Sequence, residues 1–330
     1  MTRTFWTLWT LVTVGLAGTA CDRTTKNQAT GGTTAPVHFA SVPARPQLMF
    51  VSVANDDTFH RVEVAALQNP SAGSYVTNLS CLRVYFGGDI GICLTSTTDS
   101  SATKWWAQLF DTQFHSLERF PLSGEPSRVR VSPDGRLAAA TVFESGHSYA
   151  EHGFSTRTTL YDLTARTSLG DLEQFVTKRD GRVIHAKDFN FWGVTFTRDG
   201  NTFYATLDTA GVSYLVRGDA GARTLEVLRP NVECPSLSPD NTRVAFKKRV
   251  GARSLGWWQI AVLNLNTTGE TILNNETRSV DDQVEWLDDA RVVYHLTNGT
   301  TAADLWALRA DNSAPPERLL ASAYSPAVIR

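Results

Sequence analysis

A chain of 330 residues with 42% hydrophobic residues can build a sizeable core, which excludes a disordered polypeptide. Lys plus Arg is 31 and Asp plus Glu is 33, so the formal charge is -2 and there is no basic footprint for general nucleic-acid binding. Charged residues are only 19%, and Thr and Ser are abundant, a composition that suits a β-rich protein outside the cytoplasm.

Residues 1–20 read as an export leader: Arg3 is the positive start, the stretch from Phe5 to Ala17 is mostly apolar, and Gly18-Thr19-Ala20 is a small-residue cleavage region. The apolar run is too short to span a membrane comfortably, and no other stretch approaches the necessary length. Cys21 follows directly, and a cysteine at this place resembles the bacterial lipoprotein signal, in which the thiol receives a diacylglyceryl group. Lipid attachment at Cys21 is the preferred reading; ordinary cleavage leaving a free terminal cysteine is the alternative. Residues 21–45 are expected to be a flexible tether, because 22–35 are rich in Thr, Gly and Asn with no apolar residue but Ala.

Beyond the tether the chain repeats. Residues 47–53, 60–67 and 75–79 read as three strands that lack an innermost partner. Turn signals then recur: Gly87-Gly88 in degenerate form, Ser132-Pro133-Asp134-Gly135, Thr197-Arg198-Asp199-Gly200, Ser238-Pro239-Asp240-Asn241 and Leu287-Asp288-Asp289-Ala290. Pro presets φ at the first central turn position, Asp suits the second, and Gly or Asn takes the left-handed one. Before each turn, apolar residues alternate with period two, as at Val129 and Val131 or Val284 and Trp286. Two or three further short strands follow each turn. Units of four strands start near Ser80, Ser127, Phe189, Val232 and Val280, and residues 325–330 supply an unpartnered strand. The expectation is an all-β, six-bladed β-propeller over 46–330, with four-stranded blades of roughly 47 residues, whose sixth blade is closed by both termini.

The Ser-Pro-Asp-Gly turn, Arg243-Val-Ala-Phe246, and Ile260-Ala-Val-Leu-Asn-Leu265 followed by Thr268-Gly269-Glu270 resemble the repeat of TolB-like six-bladed propellers. Asp304-Leu-Trp-Ala-Leu308 with Arg318-Leu-Leu320 repeats the pattern. The resemblance implies a propeller outside the cytoplasm that serves as a binding platform. True TolB carries an α/β domain before its propeller, whereas here the tether runs straight into the first blade.

No convincing catalytic constellation emerges. Gly146-His147-Ser148-Tyr149-Ala150 approaches a nucleophile elbow, but it ends in Ala and sits between two strands rather than before a helix. His147, Glu151 and His152 approach a zinc pattern, but on a loop the spacing does not align the ligands, so the presence of a metal stays open. No cofactor is expected. Aligning the Gly87 turn with the Ser132 turn places Cys81 and Cys93 opposite each other, as a disulfide or as neighbouring thiols; Cys234 falls on a distant blade as a free buried thiol.

The four-residue turns share one face of the disc. The other face collects the irregular loops, and the candidate binding residues are expected there: His147, Glu151, His152, Asp188, Glu233, Asp281 and Asp282. The expected function is non-catalytic recognition or scaffolding of a protein, peptide or envelope polymer by an exported monomer. Its only membrane attachment would be the lipid, whether it is an anchored lipoprotein or lies in the periplasm or at the cell surface. The alternatives are a small-molecule or metal-using enzyme with its site at the channel mouth, or a sensor domain.

Overall fold

Asp-bearing turns cut the chain into short strands, and the turn chemistry is visible atom by atom. The carboxylates of Asp134, Asp199, Asp240 and Asp288 each accept backbone N–H groups from the residues that start the next strand, such as Thr202 N at 2.7 Å from Asp199 and Arg291 N at 2.8 Å from Asp288. The structure is a computed structural model that describes residues 37–100, 102–144, 155–251, 256–298 and 302–330. Cys21, His147, Glu151 and His152 lie outside the described residues.

Blade A holds β1 (Gln47–Ser52), β2 (Arg61–Ala66) and β3 (Ser74–Ser80). Blade B is β4 (Arg83–Gly87), β5 (Ile90–Thr98), β6 (Thr103–Phe110) and β7 (Ser116–Leu122). Blade C is β8 (Pro126–Val131), β9 (Leu137–Phe143), β10 (Thr156–Asp162) and β11 (Thr167–Asp171). A crossing carries β12 (Val176–Arg179) and β13 (Arg182–Val183). Blade D is β14 (Asn190–Phe196), β15 (Thr202–Thr209), β16 (Val212–Asp219) and β17 (Thr224–Pro230). Blade E is β18 (Glu233–Leu237), β19 (Arg243–Arg249), β20 (Trp258–Asn264) and β21 (Glu270–Ile272). Blade F is β22 (Glu285–Trp286), β23 (Arg291–Asn298), β24 (Ala302–Arg309) and β25 (Glu317–Leu320). The last strand, β26 (Ala323–Ile329), returns to blade A and pairs with β1, in the order β26-β1-β2-β3.

The chain is thus a six-bladed β-propeller of four-stranded blades closed by both termini. In blade D the crossing adds β12 and β13 at the outer edge, so that sheet has six strands. The strands explain their own sequences. In β1, alternate side chains serve opposite neighbours: Leu48 and Phe50 pack towards blade F, Met49 and Val51 towards blade B. Burial on both faces is why the run Leu-Met-Phe-Val is continuously apolar. Separate apolar layers lie between successive blades around the ring, such as Leu160 with Phe203 between C and D and Ala245 with Trp286 between E and F.

Two local expectations change. The segment expected as free tether to residue 45 is already docked at its end. Phe39 N donates to Ser74 O at 2.7 Å, and Ser74 N to Val37 O at 3.0 Å. Gly73 makes the approach possible, since a Cβ there would sit 2.6 Å from Val37 O. In blade B the hairpin register differs from that of the Ser132 alignment: Cys93 faces Val84, because Gly87 pairs with Ile90 across a two-residue turn. Leu82 N nevertheless bonds to Leu94 O at 2.7 Å while Arg83 also pairs with Leu94, so two residues face one. Just past that bulge Cys81 comes within 5.4 Å of Cys93, Cα to Cα, and the two form a disulfide. Cys234 is not disulfide-bonded and is buried; burial pushes its thiol pKa up.

Removing residues 325–330 deletes most of β26 and exposes the inner edge of β1. The truncated chain is expected to lose several kcal/mol in chemical denaturation, the scale of losing a core element. Unchanged stability would mean that the ring does not depend on this pairing.

Candidate functional site

The innermost strands β26, β4, β8, β14, β18 and β22 surround the central channel. On some of these strands charged side chains alternate with apolar ones, as Arg128 and Arg130 of β8 do with Val129 and Val131. At the end of the channel nearer the irregular loops, Asp282 accepts from Arg83 at 2.8 Å. It also lies 2.8 Å from Arg128 Nε and 2.9 Å from His295 Nδ1. Burial alone would raise the Asp282 pKa, but Arg128, Arg83 and His295 overcome it and hold the carboxyl well below the usual carboxylate range. Deeper in, Gln283 Nε2 donates to Val194 O at 3.1 Å and Pro235 O at 2.6 Å, which ties blades D, E and F together.

Towards the turn face, Arg130 donates to Val284 O at 2.9 Å and stands 3.4 Å from the Glu285 carboxylate. Its guanidinium covers the Tyr85 ring at 4.5 Å, and Tyr85 OH donates to Glu285 at 3.0 Å. Burial, then the Glu285 charge, pushes the Tyr85 pKa up, so the phenol stays a donor. Above these groups opens a cavity of about 160 Å³, whose floor is Tyr85, Arg130, Thr195, Ser236 and Glu285 and whose wall includes Pro133, Arg198, Pro239, Asn241 and Arg330. Adjacent turns brace this wall. Arg198 N donates to Asn241 Oδ1 at 3.0 Å, Asp240 N to Asp289 Oδ1 at 3.1 Å, and Arg136 to Gly200 O at 3.2 Å.

The sequence-expected residues are placed differently from an open acidic rim. Asp282 and Glu233 are each 4% exposed, so they are buried and unavailable as a binding rim. Glu233 is held by Arg249 at 2.9 Å and by Trp258 Nε1 at 3.2 Å. Lys247 brings Glu233 and Asp281 together: it bonds Asp281 and lies 3.9 Å from Glu233. Burial would lower the Lys247 pKa, yet Cys234, Asp281 and Glu233 reverse the direction and keep it protonated. Asp281 is exposed but paired in this way. Asp188 is exposed and accepts from Ala210 N at 2.6 Å and Thr209 at 2.8 Å, bonds that lower its pKa and shape the β15–β16 turn. Among the described residues no cluster of three or more His, Cys, Asp or Glu could hold a metal ion. Sequence reasoning passed over Arg83, Tyr85, Arg128, Arg130, Gln283 and Glu285. Their signal was present: polar residues at alternate positions of the apolar strand that precedes each turn, as in Arg128-Val129-Arg130-Val131.

A six-bladed propeller with its channel crossed by ion pairs is therefore the class this chain belongs to. Among solved structures it is similar to TolB from Acinetobacter baumannii, with a TM-score of 0.60 and 17% identity over 87% of this chain and 68% of that one. It is similar to a chain of a nidogen/laminin complex, with a TM-score of 0.56 and 12% identity over 86% of this chain and 97% of that one. A puromycin-hydrolysing peptidase of Mycobacterium tuberculosis gives a TM-score of 0.55 and 12% identity over 86% of this chain, which spans only 44% of the peptidase. At such identities the likeness is one of fold. No protein-family model and no curated protein sequence matches the chain.

Asp282→Asn leaves Arg83 and Arg128 facing each other without their counter-charge. At neutral pH the variant should unfold about 3–5 kcal/mol more easily in urea, the cost of breaking a buried pair. Because the folded-state pKa lies below the unfolded value, the carboxylate's contribution is complete above about pH 4 and is lost as pH falls towards the folded value. The gap between wild type and variant should therefore shrink in acid; a gap that widens there would contradict the assignment.

Proposed function

We propose that this chain is a non-catalytic recognition module that binds a protein, peptide or envelope polymer at the turn-face mouth of its channel. The observation that carries the reading is the use of charge. Inside the channel Asp282 and Glu285 pair with Arg83, Arg128 and Arg130, which leaves these groups with one net positive charge. The mouth is left with a cavity lined by polar and apolar side chains alike, and with Arg198, which is exposed and has no ion pair among the described residues. Such a cavity suits a carboxylate or other acidic group on a larger partner. The fold likeness adds support: the chain spans 97% of the nidogen structure, a chain of a nidogen/laminin complex, whereas more than half of the puromycin-hydrolysing peptidase has no counterpart. The leader at 1–20, Cys21 and the Cys81–Cys93 disulfide support export across the cytoplasmic membrane, with a lipid on Cys21 as anchor.

Arg198→Glu tests the mouth. Its side chain is exposed, so the melting temperature should not change. Partner recovered by crosslinking in living cells should fall about 10–100-fold, the range of a lost charge-assisted contact. Equal recovery, or recovery lost instead on Asp188→Lys, would place binding elsewhere. Turnover of a small molecule by the purified chain would replace recognition with catalysis.

A further inference from the structure

The crossing between blades C and D does more than connect them. Val176 and Lys178 of β12 pair in parallel with Thr224 and Glu226 of β17, and β13 folds back on β12 with Lys178 opposite Val183 and Arg179 opposite Arg182. The other blades end at their fourth strand, so closure of the ring does not call for this hairpin. It stands out from the rim as a fin.

The fin has an unusual surface for a chain of slightly negative charge. The hairpin carries Lys178, Arg179 and Arg182 against Asp180 alone. Residues directly opposite in a ladder share a face, so Lys178 lies on one side of the fin and Arg179 with Arg182 on the other. Among the described residues, Lys178 and Arg182 have no ion pair within salt-bridge distance, although Glu226 is the ladder neighbour of Lys178. The fin also exposes apolar side chains: Val176 is 42% and Val183 52% exposed. Arg179 packs over the Tyr214 ring at 4.9 Å, which holds its charge at the base of the fin.

We propose that the β12–β13 fin docks on an anionic membrane surface, its cations meeting lipid headgroups and its valines entering the interface. A dissolved polyanion would use the cations and leave the valines in water; a bilayer interface accepts both. The proposal is independent of the channel mouth.

The test uses the chain from residue 21 onward with Cys21→Ser, so that no acyl chain contributes, in co-sedimentation with vesicles. Binding is expected to vesicles of phosphatidylglycerol and phosphatidylethanolamine, to weaken with salt, and to be absent with phosphatidylcholine alone. Lys178→Gln and Arg182→Gln together should weaken it roughly 25-fold, about fivefold for each basic residue removed. Val183→Ser should weaken vesicle binding severalfold and leave binding to soluble polyphosphate unchanged. All these side chains are exposed or half-buried, so near-UV circular dichroism should be that of the wild type. An unaffected double variant overturns the proposal. So does polyphosphate binding as tight as vesicle binding with no effect of Val183→Ser, which would make the fin a site for soluble polyanions.

Discussion

Each blade of this molecule has to bury both faces of its sheet, and a sheet can do so only with a neighbour on either side. A ring satisfies that demand; an open row would leave two apolar faces in water. The final strand is where the demand is met. β26 pairs with β1 through Gln47 with Ile329, Leu48 with Val328 and Met49 with Ala327. It sends Ala327 and Ile329 into the layer between blades A and B, and Ala323 and Val328 into the layer between F and A. One seven-residue strand therefore completes a ladder and two apolar layers at once.

Closing the ring brings inner strands together from all round the disc, and their polar residues must then find partners far from water. Arg83 reaches Asp282 across 199 positions of sequence, and Arg130 reaches Val284 across 154. Buried pairs of this kind contribute little net stability, because desolvation offsets the attraction, but a wrong neighbour leaves a charge uncompensated. In this chain they act on the order of the blades: blade F inserts Asp282, Gln283 and Glu285 among partners from blades B, C, D and E.

The fold was legible because its signals are local. Ser-Pro-Asp-Gly and its variants sit where Asp134, Asp199, Asp240 and Asp288 cap the next strand with their carboxylates, and an alternating apolar strand precedes each of them. The closure was legible too, since residues 47–79 lacked an inner strand and residues 325–330 lacked a blade. The site was not, for three physical reasons. Glu233, Asp281 and Asp282 were read as surface charges because their cationic partners lie on other strands, as Lys247 and Arg83 do. The register around Cys93 depended on a two-residue turn and a bulge, both invisible to an alignment of turns. The Lys178-Arg179-Asp180-Gly181 turn of the β12–β13 fin is legible in the sequence, but its parallel pairing is not, because β17 follows β12 by nearly fifty residues.

The seam between β1 and β26 also sets the order in which the molecule can be made. β1 is the first strand of the propeller to emerge from any machinery that handles the chain from its N-terminus, and its inner partner is the last. Until residues 323–329 arrive, blade A holds three strands with a bare inner edge and incomplete apolar layers on both sides. Contacts of such long sequence separation form slowly, because the chain between them has to be ordered first. The early blades therefore have to wait, partly assembled, for residues 323–329. That interval exposes strand edges to other chains.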